Sequence, residues 1–375
     1  MPGENDEVIV TNHPSEEYYG IKDKGRNTCQ QVSERHGQLM MPLRLLTQVL
    51  TSGVIKKMKV LVTGAAGLYG VHLVETLVKN EDIARVYGVD NFSRPFLTED
   101  PFFPAPEMAA KFVLRRCRYQ DLTAAELDEL ELDAIIHLAA YVSIDESMVV
   151  PAVYFWNNEY GTFKFVHTLG QTKSKPLLLC ASSPEVYGNP RYLPMDEEHP
   201  LYPRSVYAVS KLAAEKHANA LHEWFAYPVI VIRNFNTYGE NQNLAGYAAV
   251  IPRFIVNALQ GQPLVVHNDG SQTRDFLYIG DAVRAYVMIL QERERLQGEV
   301  FNIGTGKQTA IRELAQLIKD LTASTSPITP ARGRPGDLQG LAADITKIQN
   351  AVGWSPCFSL EEGLNRTIEW YRRYI

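Results

Sequence analysis

The sequence predicts an α/β fold, with a doubly wound parallel sheet and a smaller mixed α/β lobe at the C-terminal end. Three observations support this fold class. Short apolar runs alternate with segments of helical periodicity from residue 58 to about residue 240, a glycine-rich turn joins the first run to the first helix, and the alternation loosens afterwards. Strands that alternate with helices pair in parallel and carry helices on both faces of their sheet.

The predicted sheet domain spans residues 58–240. Its strands are KVLVTG, RVYGVD, AIIHLAA, PLLLCAS and PVIVIRNFN, and its helices include LYGVHLVETLVKN and YAVSKLAAEKHANALHEWF. A further helix is indicated where Thr123 and Glu126 stand at the spacing of a capping box. This domain is expected to hold the cofactor and the catalytic residues.

Residues 241–375 are predicted to form the smaller lobe, mainly for substrate binding, and some of its strands can return to the main sheet. Its helices include VIPRFIVNAL, IRELAQLIKDL and SLEEGLNRTIEWYRRYI. Between the first two, the run PLVVHNDGSQTRDFLYI predicts a hairpin that turns at residues 268–270.

Residues 1–57 differ from the rest of the chain. Their first part is polar and has no sustained period, whereas LMMPLRLLTQVLTSGVIKK is compatible with a short amphipathic helix. The apolar stretch follows no basic head and ends in no clear small-residue cleavage site, which argues against a signal peptide. We therefore predict a peripheral or disordered N-terminal extension.

Composition excludes several classes of protein. The net charge is −6 and no basic stripe stands out, which argues against a nucleic-acid partner. No run of apolar residues reaches the length of about 18 that a membrane span needs. The cysteines lie far apart with no CxxC pair, which argues against a metal site and predicts free thiols in a reducing cytoplasm; they are Cys29, Cys117, Cys180 and Cys357.

The turn VTGAAGLYG places Gly64, Gly67 and Gly70 between the first strand and the first helix. Glycines at a Rossmann-type turn let the backbone approach a pyrophosphate, and the helix N-terminus then offers its N–H groups to the phosphates. The spacing is GxxGxxG rather than GxGxxG. Because the setting is strand, turn and helix in the first position of the sheet, the turn predicts a dinucleotide site.

Two carboxylates are candidates for the adenosine end of that dinucleotide. Asp90 ends the strand RVYGVD, where it can accept both ribose hydroxyls and repel a 2′-phosphate, which favours NAD over NADP. Arg94 is close enough in sequence to reverse that preference by binding the phosphate. Asp121, in YQDLT, could meet the adenine amine or could simply begin a turn.

The segment YAVSK puts Tyr207 and Lys211 on one helical face. A free tyrosine, with a pKa of about 10, is a poor base, but a nearby ammonium and the positive nicotinamide ring favour the phenolate. The phenolate can take a proton from a sugar hydroxyl while hydride leaves the same carbon. Ser183, at the end of the strand PLLLCAS, can hydrogen-bond the same oxygen. Such a Tyr–Lys pair also occurs as plain surface decoration.

These segments together resemble the extended short-chain dehydrogenase/reductase family, specifically its nucleotide-sugar epimerases and dehydratases. Over residues 58–375 they fall in the family's order: VTGAAGLYG, VDN, HLAA, SSPEVYG, YAVSK, RNFNTYG, DGSQTRDFLYIGD, FNIGTG and RPGDLQGLAADITKIQNAVGWSP. The resemblance implies NAD as cofactor, a nucleoside-diphosphate sugar as substrate, and a homodimer built from two helices of each subunit.

The resemblance also implies roles for individual residues. The catalytic set is Ser183, Tyr207, Lys211 and Glu185. Cofactor contacts are implied at Gly64, Gly67, Leu68, Tyr69, Gly70, Asp90, Asn91, Asp121, Leu122, Leu138, Ala139, Ala140, Tyr207 and Lys211. Substrate contacts are implied at Ser183, Glu185, Asn236, Arg274, Arg334 and Asp337. The two guanidiniums among them could clamp a diphosphate, although loop arginines are commonly just solvated.

We predict epimerisation at C4 of a nucleoside-diphosphate sugar through a 4-keto intermediate. A 4,6-dehydratase and a uronic-acid decarboxylase share its first step and are alternatives, and a non-catalytic NAD-binding scaffold is an alternative of another class. In related dehydratases an Asp–Glu or Ser–Glu pair follows the hydroxyl residue and acts as acid and base. Here Glu185 is present but Pro184 has no proton to give, which weakens dehydration because the leaving hydroxyl needs an acid.

Overall fold

The computed structural model describes residues 57–94, 110–244, 249–333 and 338–375. Residues 1–56 of the predicted N-terminal extension therefore lie outside the described residues.

The strands in chain order are β1 (Met58–Thr63), β2 (Ile83–Asp90), β3 (Phe112–Arg116), β4 (Ala134–His137), β5 (Leu177–Ser182), β6 (Val229–Asn234), β7 (Asn236–Tyr238), β8 (Leu264–His267), β9 (Thr273–Arg274), β10 (Phe276–Tyr278), β11 (Val300–Ile303), β12 (Thr309–Ala310) and β13 (Ile328–Ala331).

The α-helices are α1 (Leu68–Lys79), α2 (Ala124–Glu129), α3 (Ile144–Val149), α4 (Pro151–Tyr154), α5 (Gly161–Leu169), α6 (Val206–Phe225), α7 (Val250–Leu259), α8 (Ile279–Gln291), α9 (Ile311–Thr322), α10 (Thr346–Val352) and α11 (Leu360–Tyr371). A π-helical stretch, Phe155–Tyr160, joins α4 to α5, and short 3₁₀ helices span Tyr119–Asp121 and Pro184–Tyr187. Across the described ranges, no helix combines the length and the apolar character needed to cross a membrane.

The central sheet has seven parallel strands in the order β11-β6-β5-β4-β1-β2-β3. This confirms the predicted doubly wound α/β fold. Every residue of β4 and of β5 is buried, as expected for parallel strands covered by helices on both faces. The strand order reverses between β1 and β4, and in such sheets ligands bind in the crevice at the carboxyl ends of the strands at this switch point.

Alternate residues of the strands supply the two faces of the core. Val60 and Val62 of β1 pack with α1 and α8, whereas Leu61 packs with Phe165 of α5 and Leu221 of α6. The period of two in the strands is what lets one sheet hold both helical layers. The catalytic helix predicted from YAVSK is α6, so one apolar layer fixes its position against the sheet.

The C-terminal part divides its strands between the main sheet and three small ladders. β11 pairs with β6 and extends the main sheet. The predicted hairpin is wrong: β8 pairs in parallel with β13, β10 pairs in parallel with β7, and β9 pairs antiparallel with β12. The turn itself exists, with Asn268 at φ 53° and Gly270 at φ 76°. An apolar run identifies a strand but carries no information about its distant partner, and here the partners lie on other segments.

Candidate active site

A cavity of about 590 Å³ runs along the carboxyl ends of the central strands. It collects most of the residues predicted to form the site, although they come from widely separated segments. The predicted residues that line it are Gly64, Gly67, Leu68, Tyr69, Gly70, Asp90, Asn91, Leu138, Ala139, Ala140, Ser183, Glu185, Tyr207, Lys211, Asn236 and Arg274.

Two predicted residues of the described ranges, Asp121 and Leu122, do not line this cavity. The side chain of Asp121 is 57% exposed, and its Oδ1 lies 3.7 Å from Nζ of Lys164. Leu122 is buried in the core layer under α5 and α6. Asp121 is the last residue of the 3₁₀ helix Tyr119–Asp121, and its contact with the adenine amine stays a prediction. Arg334 and Asp337 lie outside the described residues.

The glycine turn is built for close backbone approach. Gly64 has φ +72°, and a Cβ on it would lie 2.8 Å from the backbone nitrogen of Ala139. A Cβ on Gly70 would lie 2.2 Å from the carbonyl oxygen of Gly64. Gly67 precedes α1 as its N-cap, and no side chain caps this helix start. The turn therefore presents main-chain N–H groups and a helix N-terminus to the cavity, a setting that suits a diphosphate.

Asp90 ties the end of β2 to the glycine turn. Its Oδ2 accepts the N–H of Ala66 at 3.0 Å, and its Oδ1 accepts the N–H of Phe92 at 2.8 Å. Burial raises the pKa of the Asp90 carboxyl, and these backbone hydrogen bonds oppose that shift. Each carboxylate oxygen has a further lone pair for a ligand hydroxyl.

Arg94 does not extend toward Asp90 as a free cation. Its two terminal nitrogens lie 2.6 and 3.2 Å from the carboxylate oxygens of Glu146, and its guanidinium lies 4.5 Å from the ring centroid of Tyr141. Sequence analysis did not single out Glu146. Its only local signal is the capping-box spacing from Ser143, and here its side chain turns to Arg94 instead of back to that helix start.

The segment SSPEVYG folds as a strand end followed by one short helix. Ser183 is the N-cap of the 3₁₀ helix Pro184–Tyr187, and its Oγ accepts the N–H of Glu185 at 3.3 Å. Proline suits the first helical position because its missing N–H would have no partner there. Pro184 therefore starts the turn that places the buried Glu185 on the cavity wall.

Tyr207 and Lys211 lie buried in the first turns of α6. Burial raises the pKa of Tyr207 to about 12; a hydrogen bond with Ser183 lowers the pKa and the charge of Glu185 raises it further. Burial lowers the pKa of the Lys211 ammonium, opposed by Cys180 and Glu215. The phenol is therefore neutral at physiological pH in this state and needs added positive charge to act as a base.

A buried polar network lies beneath this catalytic set. Glu215, one turn after Lys211, accepts two hydrogen bonds from Arg233 at 3.0 and 2.9 Å and one from the hydroxyl of Ser182. Arg233 also donates to the hydroxyl of Tyr187 at 2.8 Å. The network joins α6 to the end of β5 and to the turn that carries Glu185. Sequence analysis missed it, although Glu215 follows Lys211 at helical spacing.

The far wall of the cavity belongs to the C-terminal part. Oδ1 of Asn236 is buried and has no hydrogen-bond partner. The same is true of Oε1 of Gln242, a residue that sequence analysis did not single out. Arg274 donates to the carbonyl oxygens of Thr273 and Leu338 at 2.8 and 2.9 Å. Buried polar atoms without partners mark places where a ligand can supply the missing donor. Among the described residues, no three His, Cys, Asp or Glu side chains form a metal-binding group.

A family model described as GDP-mannose 4,6 dehydratase matches residues 61–367. The chain is 32% identical over 313 residues to a protein of Methanocaldococcus jannaschii named "Putative UDP-glucose 4-epimerase", covering 84% of this chain and 98% of the relative. It is 33% identical over 324 residues to UDP-glucuronic acid decarboxylase 1 of Danio rerio, covering 84% and 73%.

A solved structure agrees in fold. The UDP-glucuronic acid 4-epimerase of Bacillus cereus, crystallised with UDP-glucuronic acid and NAD, superposes with a TM-score of 0.76 at 29% identity, covering 85% of this chain and 100% of that one.

Proposed function

Because the chain belongs to the GDP-mannose 4,6 dehydratase family, we propose that it catalyses the NAD-dependent epimerisation of a nucleoside-diphosphate sugar at C4. The family match confirms the predicted resemblance to nucleotide-sugar epimerases and dehydratases. The observation that carries the proposal is the meeting of Ser183, Tyr207 and Lys211 with the glycine turn in one cavity. A non-catalytic scaffold has no need of that buried set.

The cavity fits NAD at its glycine end. The close backbone packing at Gly64 and Gly70 leaves no room for a Cβ in the turn, and Asp90 offers acceptors for ribose hydroxyls. Segment 138–140 lies directly beside the turn at Gly64 and lines the same cavity. Bound there, NAD would supply the acceptor for a hydride from C4 of the sugar and the donor that returns it to the opposite face of that carbon.

The chain's own residues move the proton. Tyr207 takes the proton from O4, and Ser183 hydrogen-bonds the same oxygen. Burial raises the pKa of Tyr207, and Lys211 together with a bound nicotinamide ring would favour the phenolate against that shift. When the hydrogen returns to C4, Tyr207 gives its proton back to O4. The substrate's diphosphate and sugar would contact Arg274 and Asn236 at the far wall.

A uronic-acid decarboxylase is the second candidate, and Glu185 is the observation that favours it. Glu185 is a buried carboxylate on the same wall as Ser183, whereas a 4-epimerase needs no second acid–base group. One relative is a UDP-glucuronic acid decarboxylase. In an epimerase, Glu185 would instead hydrogen-bond a sugar hydroxyl and select the hexose.

One experiment tests the function and separates the candidates. The full chain is incubated in deuterium oxide with a panel of nucleoside-diphosphate sugars, and the products are identified by NMR. Epimerisation gives the C4 epimer with C5 unlabelled. Loss of carbon dioxide or water, or deuterium at C5 that Glu185→Gln abolishes, would replace the epimerase proposal with a decarboxylase or a dehydratase. No turnover of any sugar nucleotide would contradict the enzyme.

We also infer a homodimer, because an apolar face is exposed beside α6. Helices α5 and α6 contact each other through Phe163 and His217, whose ring centroids lie 5.2 Å apart. The exposed apolar side chains of this face are Val153, Trp156, Tyr160, Phe163 and Val209. A second copy of the chain can cover the face with the same segments, since a two-fold interface is self-complementary.

Substitution tests that interface. Trp156→Glu should convert a dimer to a monomer in light scattering, because it places a charge in the apolar face. Tyr202→Glu is the matched control, since Tyr202 is 71% exposed and Trp156 58%, and Tyr202 lies outside the face. A monomeric unmutated chain, or an unchanged dimer in Trp156→Glu, would contradict the interface.

We place the enzyme in a reducing cytoplasm, supported by the lack of a disulfide among the three described cysteines.

A further inference from the structure

The rim of the cavity near Asp90 carries an ion pair that the reaction does not use. Glu146 binds both terminal nitrogens of Arg94, and both residues line the cavity together with Asp90. Arg94 lies four residues after Asp90, on the loop that leaves β2. A guanidinium in this place is the group that accommodates the 2′-phosphate of NADP in other dinucleotide sites.

Glu146 is itself held in place by several hydrogen bonds. Its Oε2 accepts the hydroxyl of Tyr154 at 2.7 Å, and its own N–H donates to Oγ of Ser143 at 3.2 Å. The N–H of Ser143 donates to the hydroxyl of Tyr154 at 3.1 Å, which closes the group. Hydrogen bonds from Arg94 hold the pKa of Glu146 below its usual value. The carboxylate is therefore a fixed anion at neutral pH.

The guanidinium is also confined from its other side. It lies over the ring of Tyr141, whose hydroxyl donates to Oγ of Ser93 at 3.2 Å. Arg94 therefore has a carboxylate on its edge and an aromatic ring on its face. To reach a 2′-phosphate, the guanidinium would have to leave both partners.

We propose that Glu146 sets cofactor preference by holding Arg94 away from the 2′-position of the adenosine ribose. Asp90 disfavours NADP because its carboxylate repels the 2′-phosphate. Arg94, the one cation on the described part of the loop after β2, could offset that repulsion, but Glu146 neutralises it. Glu146 is a positioning residue that acts through Arg94. The inference rests on the proposed dinucleotide cofactor.

The test is titration of the full chain with NAD⁺ and with NADP⁺, and the ratio of the two dissociation constants is the measurement. Glu146→Gln keeps an acceptor for Tyr154 but releases the charge of Arg94. We expect NADP⁺ to bind roughly tenfold more tightly than in the unmutated chain, as one charge-assisted hydrogen bond allows. NAD⁺ affinity should stay within about twofold, because no 2′-phosphate is present. An unchanged ratio would overturn the proposal.

Two further variants trace the effect to Arg94. Adding Arg94→Met to Glu146→Gln should return the ratio to that of the unmutated chain. If the double variant keeps the gain in NADP⁺ affinity, the gain comes from the general loss of negative charge or from Arg118 on the same cavity. That result would overturn the proposal. Arg94→Met alone leaves the Glu146 carboxylate without its cation at the rim, so NADP⁺ affinity should stay the same or fall. A gain in NADP⁺ affinity in this variant would show that Arg94 is not the group that binds the 2′-phosphate, which also overturns the proposal.

These outcomes are separable from failure of the proposed function. If neither dinucleotide binds the unmutated chain, the proposed function fails. If both bind but the variants leave their ratio unchanged, only the role of Glu146 fails.

Discussion

Two bidentate carboxylate–arginine pairs lie at different depths near the cavity. The side chains of Arg233 and Glu215, under the catalytic helix, are 5% and 1% exposed. Those of Arg94 and Glu146, at the cofactor rim, are 36% and 20% exposed. Breaking a buried pair costs about 3–5 kcal/mol because a charge is left without solvent, whereas an exposed pair contributes about 0–1 kcal/mol.

The difference in depth indicates a difference in role. The buried pair links α6, β5 and the turn that carries Glu185, so it fixes the geometry in which a proton can move. The rim pair can be altered at small cost to folding, so its effect is on which ligand fits. The buried pair would therefore keep the catalytic residues in a fixed position, whereas the pair at the rim would determine which cofactor binds.

The largest expected effect belongs to the chemistry itself. Tyr207→Phe should lower turnover by about 10²- to 10⁴-fold, the usual contribution of a general base, because the ring still packs but carries no phenol. Dinucleotide titration and the thermal midpoint of the variant should match the unmutated chain. Retained turnover would remove Tyr207 from the mechanism. A loss of folding would show that Tyr207 also supports the fold, so that its role in catalysis could not be separated from a structural one.

The buried pair should show the largest effect on folding. Glu215→Gln leaves Arg233 without its counter-ion in the interior and should lower the free energy of unfolding by about 3–5 kcal/mol in urea titration. The matched control is Glu369→Gln, which breaks an exposed pair with Arg372 and should cost at most about 1 kcal/mol. Equal losses in the two variants would show that depth does not distinguish the pairs.

Two neighbours of Tyr207 should shift its ionisation in opposite directions. The charge of Glu185 raises the pKa of Tyr207 and the hydrogen bond with Ser183 lowers it. Turnover should rise with pH as the phenolate forms. Glu185→Gln should move the midpoint of that rise to lower pH, and Ser183→Ala should move it to higher pH, in profiles of kcat against pH. Shifts of the same sign would contradict the assignment of a base to Tyr207.

The parts of the site that the sequence could predict are local in the chain. Gly64 and Gly70 stand in one turn, and Tyr207 and Lys211 in one turn of helix, so spacing alone places them together. The pair of Arg94 and Glu146 joins residues 52 positions apart, and no periodicity links them.

The same limit explains the wrong hairpin. The turn at Gly270 was readable as a turn, but the partner of β8 is β13, more than fifty residues later. The seven-stranded sheet could be predicted because each strand and its helix make a repeated local unit. For Asp121, a plausible position along the chain is not enough to place the side chain on the cavity wall, and its contact with the adenine amine stays a prediction.

The smallest expected effect is the one on which the comparison depends most. Glu146→Gln should lower the free energy of unfolding by at most about 1 kcal/mol, because Arg94 stays accessible to water. Urea titration beside Glu215→Gln measures the contrast directly. If the two losses are alike, the rim pair is a structural element, and a changed NADP⁺ affinity in Glu146→Gln would reflect a disturbed loop. If the rim variant keeps its stability and gains NADP⁺ affinity, a disturbed fold is not the cause, and the double variant with Arg94→Met then decides whether released Arg94 binds the 2′-phosphate.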